Sequence, residues 1–222
     1  MASQKRSGAR KDQILKAAEK VFAEKGFHEA TISEVAREAG LSDATIYEYF
    51  STKEELLFSI PVETTEKGME TLNFHLNYIR GASNKVRSIV YHYLSFYQNH
   101  PEYASVVMLI LKQNRKFLDT EAYRIIREGF RVITRVVEEG VASREFRSDA
   151  NPFLVRSVLL GTIEHLVIRR LLLGQPEDLM SLVDPLTDMI IQGIQKDEGP
   201  KGWHLRLVLD RDEGEPTGEV SD

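Results

Sequence analysis

Apolar residues fall at helical spacing almost from the start of the chain. Ile14, Ala18, Val21 and Phe22 lie at i, i+4, i+7 and i+8, one face of an amphipathic helix. This predicts a first helix from about Arg10 to Lys25, closed by Gly26 because glycine readily adopts the left-handed turn that ends a helix. Ile32, Val35, Ala36 and Ala39 repeat at i, i+3, i+4 and i+7, predicting a short second helix capped by Thr31 or Ser33. Gly40 supplies a tight turn and Leu41 anchors it. Ser42 stands where a third helix, Asp43 to Phe50, needs an N-cap, with Asp43 favourable at its positive end. Ile46 and Phe50, four residues apart, point inward and leave Ala44, Thr45, Tyr47 and Glu48 facing out. A fourth helix starts at Ser51 or Thr52 and runs through Lys53, Glu54, Glu55, Leu56 and Leu57. Pro61 predicts a kink or break near Ile60.

Beyond Pro61 the pattern stays helical, with no sustained strand alternation. Helices are predicted over 63–80, 84–99, 101–113, 120–145, 152–173 and 177–195. Gly81, His100-Pro101, Asn151-Pro152 and Gly174-Gln175-Pro176 separate them. The expected fold is all-α: a flexible basic arm over 1–9, a helix-turn-helix unit over 10–58, a larger helical domain over 59–196 and an acidic tail over 197–222. Within the tail, Trp203 to Leu209 could form a strand, and the remainder reads as disordered.

Charge changes the picture through its distribution. The formal net charge is −5, and residues 197–222, with eight acids and three bases, carry all of it. Lys5, Arg6, Arg10 and Lys11 place four cations and no acid in the first eleven residues, the composition of an arm that meets a polyanion. With no cysteine in the chain, disulfides, thiolate metal sites and cysteine nucleophiles are excluded. No apolar run reaches 18 residues and MASQKRSGARK lacks the apolar stretch of a signal peptide, so a cytoplasmic location and no membrane partner are expected.

Thr31 to Lys53 reads as helix, glycine-bearing turn, helix and fresh helix start, the order of a helix-turn-helix, whose second helix enters the DNA major groove. Thr31, Ser42, Thr45, Tyr47, Tyr49 and Lys53 are the residue types that hold phosphates. Lys5, Arg6 and Arg10 add attraction from the arm. Ala44 is small enough for close approach, and a methyl of Ala44 or Thr45 could touch a thymine methyl. Glu48 or Asp43 could accept from a cytosine amino group or simply be solvated. Tyr47 and Tyr49 could instead be half-buried core aromatics. Two residues apart on a helix they face different directions, so at least one is exposed.

Phe27, Thr31, Val35, Ala36, Ala39-Gly40-Leu41-Ser42, Thr45-Ile46-Tyr47, Phe50 and Lys53-Glu54-Glu55-Leu56 resemble the N-terminal signature of TetR-family transcriptional regulators. The resemblance covers about residues 10 to 58. Ala44 departs from the family's usual glycine, and Tyr49 from its common histidine. The resemblance implies a three-helix reading head, a ligand-sensing bundle, and a homodimer paired through the last two long helices on a pseudo-palindromic double-stranded operator. Gly161-Thr162-Ile163-Glu164 and Ile191-Gln192-Gly193-Ile194 are similar to the C-terminal part of the family's fatty-acid-degradation repressors, which release DNA on binding a long-chain acyl-CoA. Another small apolar or drug-like inducer remains open. So does a helical ligand-binding or interaction module with a vestigial head, although such a module would be expected to have lost Thr45, Tyr47 or Lys53.

An acyl-CoA site needs an apolar tunnel and cations for phosphates. Arg124, Arg127, Arg131 and Arg135 form one stripe of the predicted helix 120–145, with Arg115 and Lys116 nearby. The stripe serves equally as a solvated face paired with Glu121, Glu128 and Glu138. Tyr91, Tyr93, Phe96, Tyr97, Met108, Leu109 and Leu111 could line a pocket or be plain core. Helices 152–173 and 177–195 carry wide apolar faces: Phe153, Val158, Leu159, Ile163, Leu166 and Val167 in one, Leu182, Leu186, Met189 and Ile190 in the other. Wide faces imply burial on two sides, by a dimer partner or by a large core. The histidines His92, His100 and His165 lack metal-ligand spacing. Neither a catalytic triad nor a phosphate-binding glycine loop is visible, so neither metal, cofactor nor enzymatic activity is expected.

Overall fold

The computed structural model describes residues 2–196, with side chains from Ser7 onward; the expected strand at Trp203–Leu209 and the acidic tail lie outside the described residues. Eleven α-helices occur in this span: α1 (Ala2–Glu29), α2 (Ile32–Ala39), α3 (Asp43–Tyr49), α4 (Lys53–Leu76), α5 (Ala82–Asn99), α6 (Pro101–Ser105), α7 (Arg115–Leu118), α8 (Glu121–Gly129), α9 (Arg131–Ala142), α10 (Pro152–Leu173) and α11 (Val183–Ile194). Among the described residues extended pairing is limited to one isolated bridge between Phe146 and Gln195.

Helices α1 to α3 and the start of α4 enclose a small core of Ile14, Ala18, Phe22, Val35, Ile46, Leu56 and Leu57, all buried. Its turns follow the local chemistry. Gly40 takes φ 64° after α2, a left-handed conformation open to glycine at little cost. Thr31 rather than Ser33 caps α2, in a capping box with Glu34, and Thr52 rather than Ser51 caps α4. The hydrophobic core continues into the bundle with Ile89, Leu94, Ile133, Val137, Leu159 and Val167 from α5, α9 and α10.

Several boundaries differ from the sequence reading. Helix α1 reaches back to Ala2 where a flexible arm is expected over 1–9; the segment holds no proline, and Gly8 sits within the helix. Near the other end Gly26, at φ 76° and ψ 165°, interrupts α1 rather than ending it. Pro61 produces no break. Helix α4 runs 24 residues through it, because Leu57, Ile60 and Leu72 bury both halves of the helix and packing overrides propensity. The expected helix 101–113 divides into α6, a π turn over Val106–Ile110 and a 3₁₀ turn over Leu111–Gln113. The expected helix 120–145 divides at Phe130, and the last one begins as a 3₁₀ turn over Met180–Leu182.

Candidate nucleic-acid interface and effector cavity

On the reading head, the N-terminal half of α3 projects from the surface. Ser42, Asp43, Ala44, Tyr47 and Glu48 are exposed, Thr45 is half-buried, and Ile46 and Phe50 point inward. Tyr47 is 55% exposed, whereas Tyr49 packs against the core, so the two tyrosines part as their spacing requires. The cap hydroxyls have partners of their own. Thr31 Oγ1 accepts from the Glu34 amide at 3.2 Å. Ser42 Oγ accepts from the Thr45 amide at 3.2 Å and lies 3.0 Å from the Thr45 hydroxyl. These bonds fix the starts of α2 and α3. Arg10 is exposed on α1; Lys5 and Arg6 lie on its first turns, where side chains are not described.

Lys53 is held within the head. Its Nζ donates to the carbonyls of Phe27 and Ala30 at 2.7 and 2.8 Å, and more distantly to His28 at 3.4 Å. The ammonium also lies 4.6 Å from the centre of the Phe27 ring, a cation–π distance. Carbonyls at the end of α1 lack helical partners, and this cation is engaged with them inside the head.

Behind the head, α4, α5, α6, the π turn, α8 and α10 enclose a cavity of about 150 Å³. Its wall is mainly apolar, with Met69, Phe96, Met108, Phe117, Phe130 and Ile163 among its residues. Polar groups are few: the hydroxyls of Tyr93, Tyr97, Tyr103, Tyr123, Thr64 and Thr65, the His92 ring, and the ion pair of Lys112 with Glu164. The π turn contributes Val107 and Met108; such turns widen a helix locally and are frequent at functional sites. Burial, with the charge of His75 behind it, pushes the His92 imidazole below its usual range, so it is neutral at physiological pH.

Tyr93, Phe96, Tyr97 and Met108 line this cavity, and so does Leu111. Leu109 packs against the core outside it and Tyr91 is exposed. The arginines do not reach it. Arg124, Arg127 and Arg131 are exposed, and Arg124, Arg131 and Arg135 share a separate surface groove against α4 with Glu121 and Glu128. Arg124 pairs with Glu121, Arg131 with Glu128 at 3.1 Å, and Arg135 donates to Asn73 at 2.8 Å. The cation at the cavity wall is Lys112, with Arg115 and Lys116 exposed close by in sequence. Lys112 and Tyr103 are missed by the sequence pattern because the expected helix 101–113 is divided after Ser105, where no glycine or proline marks the change.

The apolar faces of α10 and α11 also divide. Leu159, Ile163, Leu186 and Ile190 turn inward and are buried, and Ile163 belongs to the cavity; they are not surface residues. Leu166 and Leu182 are half-buried. Outward lie Phe153 at 64% exposure and Met189 at 72%, with Leu154 and Val158 beside Phe153 on α10. Gly161 and Gly193 also face open space. Periodicity identifies the wide apolar surface but not which edge of it is inside. Among the described residues no group of three potential ligands for a metal ion occurs, and none of the described helices is long and apolar enough to cross a membrane.

A helix-turn-helix head joined through one continuous helix to a bundle with an internal cavity defines a DNA-binding regulator with a place for an effector. Comparison with known proteins agrees. The model for bacterial regulatory proteins of the tetR family matches residues 14–60, and that for the C-terminal region of YsiA-like proteins matches residues 63–193. The chain belongs to the TetR family of transcriptional regulators. It is 28% identical over 182 residues to the fatty acid metabolism regulator protein of Bacillus subtilis, covering 82% of this chain and 94% of that one. The structure of the fatty acid degradation regulator FadR of Bacillus halodurans superimposes with a TM-score of 0.78 at 27% identity, over 83% of this chain and 95% of that one. FadR of Bacillus subtilis, solved in complex with stearoyl-CoA, superimposes with a TM-score of 0.74 at 28% identity, over 82% and 98%.

Proposed function

We propose that the protein is a cytoplasmic, non-enzymatic repressor that binds a pseudo-palindromic operator as a homodimer and leaves it when a long-chain acyl-CoA enters the bundle. Residues 10–58 read DNA and 59–196 sense the effector and dimerise. Tyr47, Thr45 and the helix starts at Thr31 and Ser42 hold phosphates, while Ala44 and Glu48 face base edges. The exposed apolar edge of α10 and α11 pairs the two subunits. The stearoyl-CoA complex of the Bacillus subtilis relative supports the effector class.

One observation carries the coupling: α4 belongs to both sites. Leu56 and Leu57 lie in the core of the head, while Pro61, Thr64, Thr65, Gly68 and Met69 of the same helix line the cavity. On the opposite wall, a Cβ at Gly129 of α8 would stand 3.1 Å from Thr65 and Met69, so α8 and α4 are in close contact. A chain longer than the cavity has to part them, and any tilt of α4 re-aims the head. An acyl chain therefore has different affinities for the two states, as switching requires.

A second reading, a compact hydrophobic inducer, is favoured by the cavity volume of about 150 Å³, a volume that holds a benzene-sized molecule in an engineered protein. Titration of an operator complex, selected from genomic fragments at fixed salt, with palmitoyl-CoA decides. Release at micromolar palmitoyl-CoA but not with free CoA supports the first reading. Stable complexes throughout, dissociated only by compact apolar compounds, establish the second.

A further inference from the structure

Three tyrosines are the unusual feature of the cavity. Tyr93, Tyr97 and Tyr103 are at most 9% exposed, yet all line it. The rings of Tyr97 and Tyr103 stack with centroids 6.4 Å apart, and the hydroxyls are close enough to influence one another's ionisation. Burial pushes all three above the ordinary tyrosine range, so each is an O–H donor at any physiological pH.

The present partners of Tyr93 and Tyr97 are poor, and Tyr103 has a single hydroxyl for company. The Tyr93 hydroxyl has the Met69 Sδ at 4.0 Å, a weak acceptor at long range. Tyr103 has the Thr65 hydroxyl beside it. For Tyr97 the nearby carboxylate is Glu164, which already accepts from Lys112. Other acceptors on the wall are few, namely the Thr64, Thr65 and Tyr123 hydroxyls and the His92 ring, and most of the remaining lining is phenylalanine, methionine and aliphatic. Among the described residues no fully buried side-chain nitrogen or oxygen lacks a hydrogen-bond partner, so tyrosine hydroxyls with weak partners here are ones that open onto the cavity, where a bound group can reach them. Hydroxyls kept in such a place serve something that arrives with an acceptor.

We propose that Tyr93, Tyr97 and Tyr103 form a donor cluster for one oxygen of the effector, so that the site selects an apolar chain carrying a carbonyl or hydroxyl oxygen inside the cavity. This rests on the acyl-CoA reading. The oxygen is the thioester carbonyl or a substituent on the chain; the chemistry is the same, an oxygen lone pair accepting from tyrosine O–H. Phe96, Phe117 and Phe130 pack the hydrocarbon around it.

Calorimetric titration of the full-length dimer with three probes tests this: palmitoyl-CoA, 3-hydroxypalmitoyl-CoA, and S-hexadecyl-CoA, a thioether without the carbonyl. If the carbonyl is held, S-hexadecyl-CoA binds about tenfold more weakly than palmitoyl-CoA; if a chain oxygen is held, the 3-hydroxy probe binds about tenfold more tightly, as one buried hydrogen bond predicts. In either case Tyr97→Phe brings the discriminating ratio close to one, and Tyr93→Phe and Tyr103→Phe reduce it. Unchanged melting temperature and effector-free operator affinity show that the variants are folded. Palmitoyl-CoA that binds and releases DNA, with ratios identical in the parent and all three variants, overturns the donor cluster and leaves the acyl-CoA reading intact. Failure of every CoA probe to bind overturns both.

Discussion

At Lys53 residue type and position suggest one role, and the surroundings supply a second. A lysine at a helix start beside the reading helix is the expected phosphate ligand, and the sequence contains no hint that three carbonyls at the end of α1 compete for it. Those carbonyls are brought to it by a turn 23 to 26 residues earlier, beyond the reach of a local pattern. The two roles separate experimentally. Lys53→Met is expected to lower stability by about 1–3 kcal/mol through lost charge-assisted hydrogen bonds, and to weaken operator binding while leaving its salt dependence unchanged. A phosphate contact would instead reduce the slope of log K against log salt by about 0.9 for each lysine removed. Fluorescence anisotropy at several salt concentrations measures it. Tyr47, by contrast, was legible: spacing required one exposed tyrosine, and the partner with Ile46 and Phe50 on its inward side had to be the other face of α3.

Among the elements, the helices of the head are legible in the sequence, since caps, glycine turns and i, i+4 spacing are local and each turn has its own chemistry. The bundle was less legible. Phe130 divides α8 from α9 with no proline, and the π turn after α6 reflects packing against α1 and α10 rather than any helix breaker. With those divisions Lys112 stands at the cavity wall, while Arg124, Arg131 and Arg135 line a separate surface groove. Another element-level feature had no sequence signal. Helix α5 begins after Gly81, which offers no side-chain cap, and Glu145, 63 residues later, accepts from the amides of Ala82 and Ser83 at 2.6 and 2.7 Å. Burial raises the Glu145 pKa, but the hydrogen bonds from Ser83 and Ala82, with the Lys85 charge, outweigh it and leave the carboxyl below its usual range. A lowered pKa stabilises the fold above the ordinary carboxylate value and loses that contribution as pH falls through the folded value. Glu145→Gln is therefore expected to lower the melting temperature at neutral pH by about 2–4 °C, the effect of a lost cap. The difference from the parent narrows as the pH falls below the carboxylate range. Calorimetric melts across that range check it.

For the whole molecule, the unsolved geometry in the sequence was which apolar edge is outside. Val158 on α10 and Met189 on α11 stand on the exposed edge, next to glycines that open space on each helix. Arginine at both positions, Val158→Arg with Met189→Arg, would place four cations in the proposed two-fold interface and is expected to give a folded monomer by analytical ultracentrifugation. Operator affinity should fall at least 100-fold, because one head then holds one half-site. A double variant that remains dimeric shows that another face pairs the subunits.

Helix α4 crosses from the head to the bundle without a joint, over about 36 Å at 1.5 Å per residue. Binding free energies linked through one rigid element are reciprocal. In the proposed scheme, whatever factor an acyl-CoA takes from operator affinity, the operator takes from acyl-CoA affinity. The concentration at which the protein responds is then no property of the cavity alone. It shifts with the number and strength of operators occupied, so a strong operator needs more effector to clear than a weak one, and genes under one regulator are released in order.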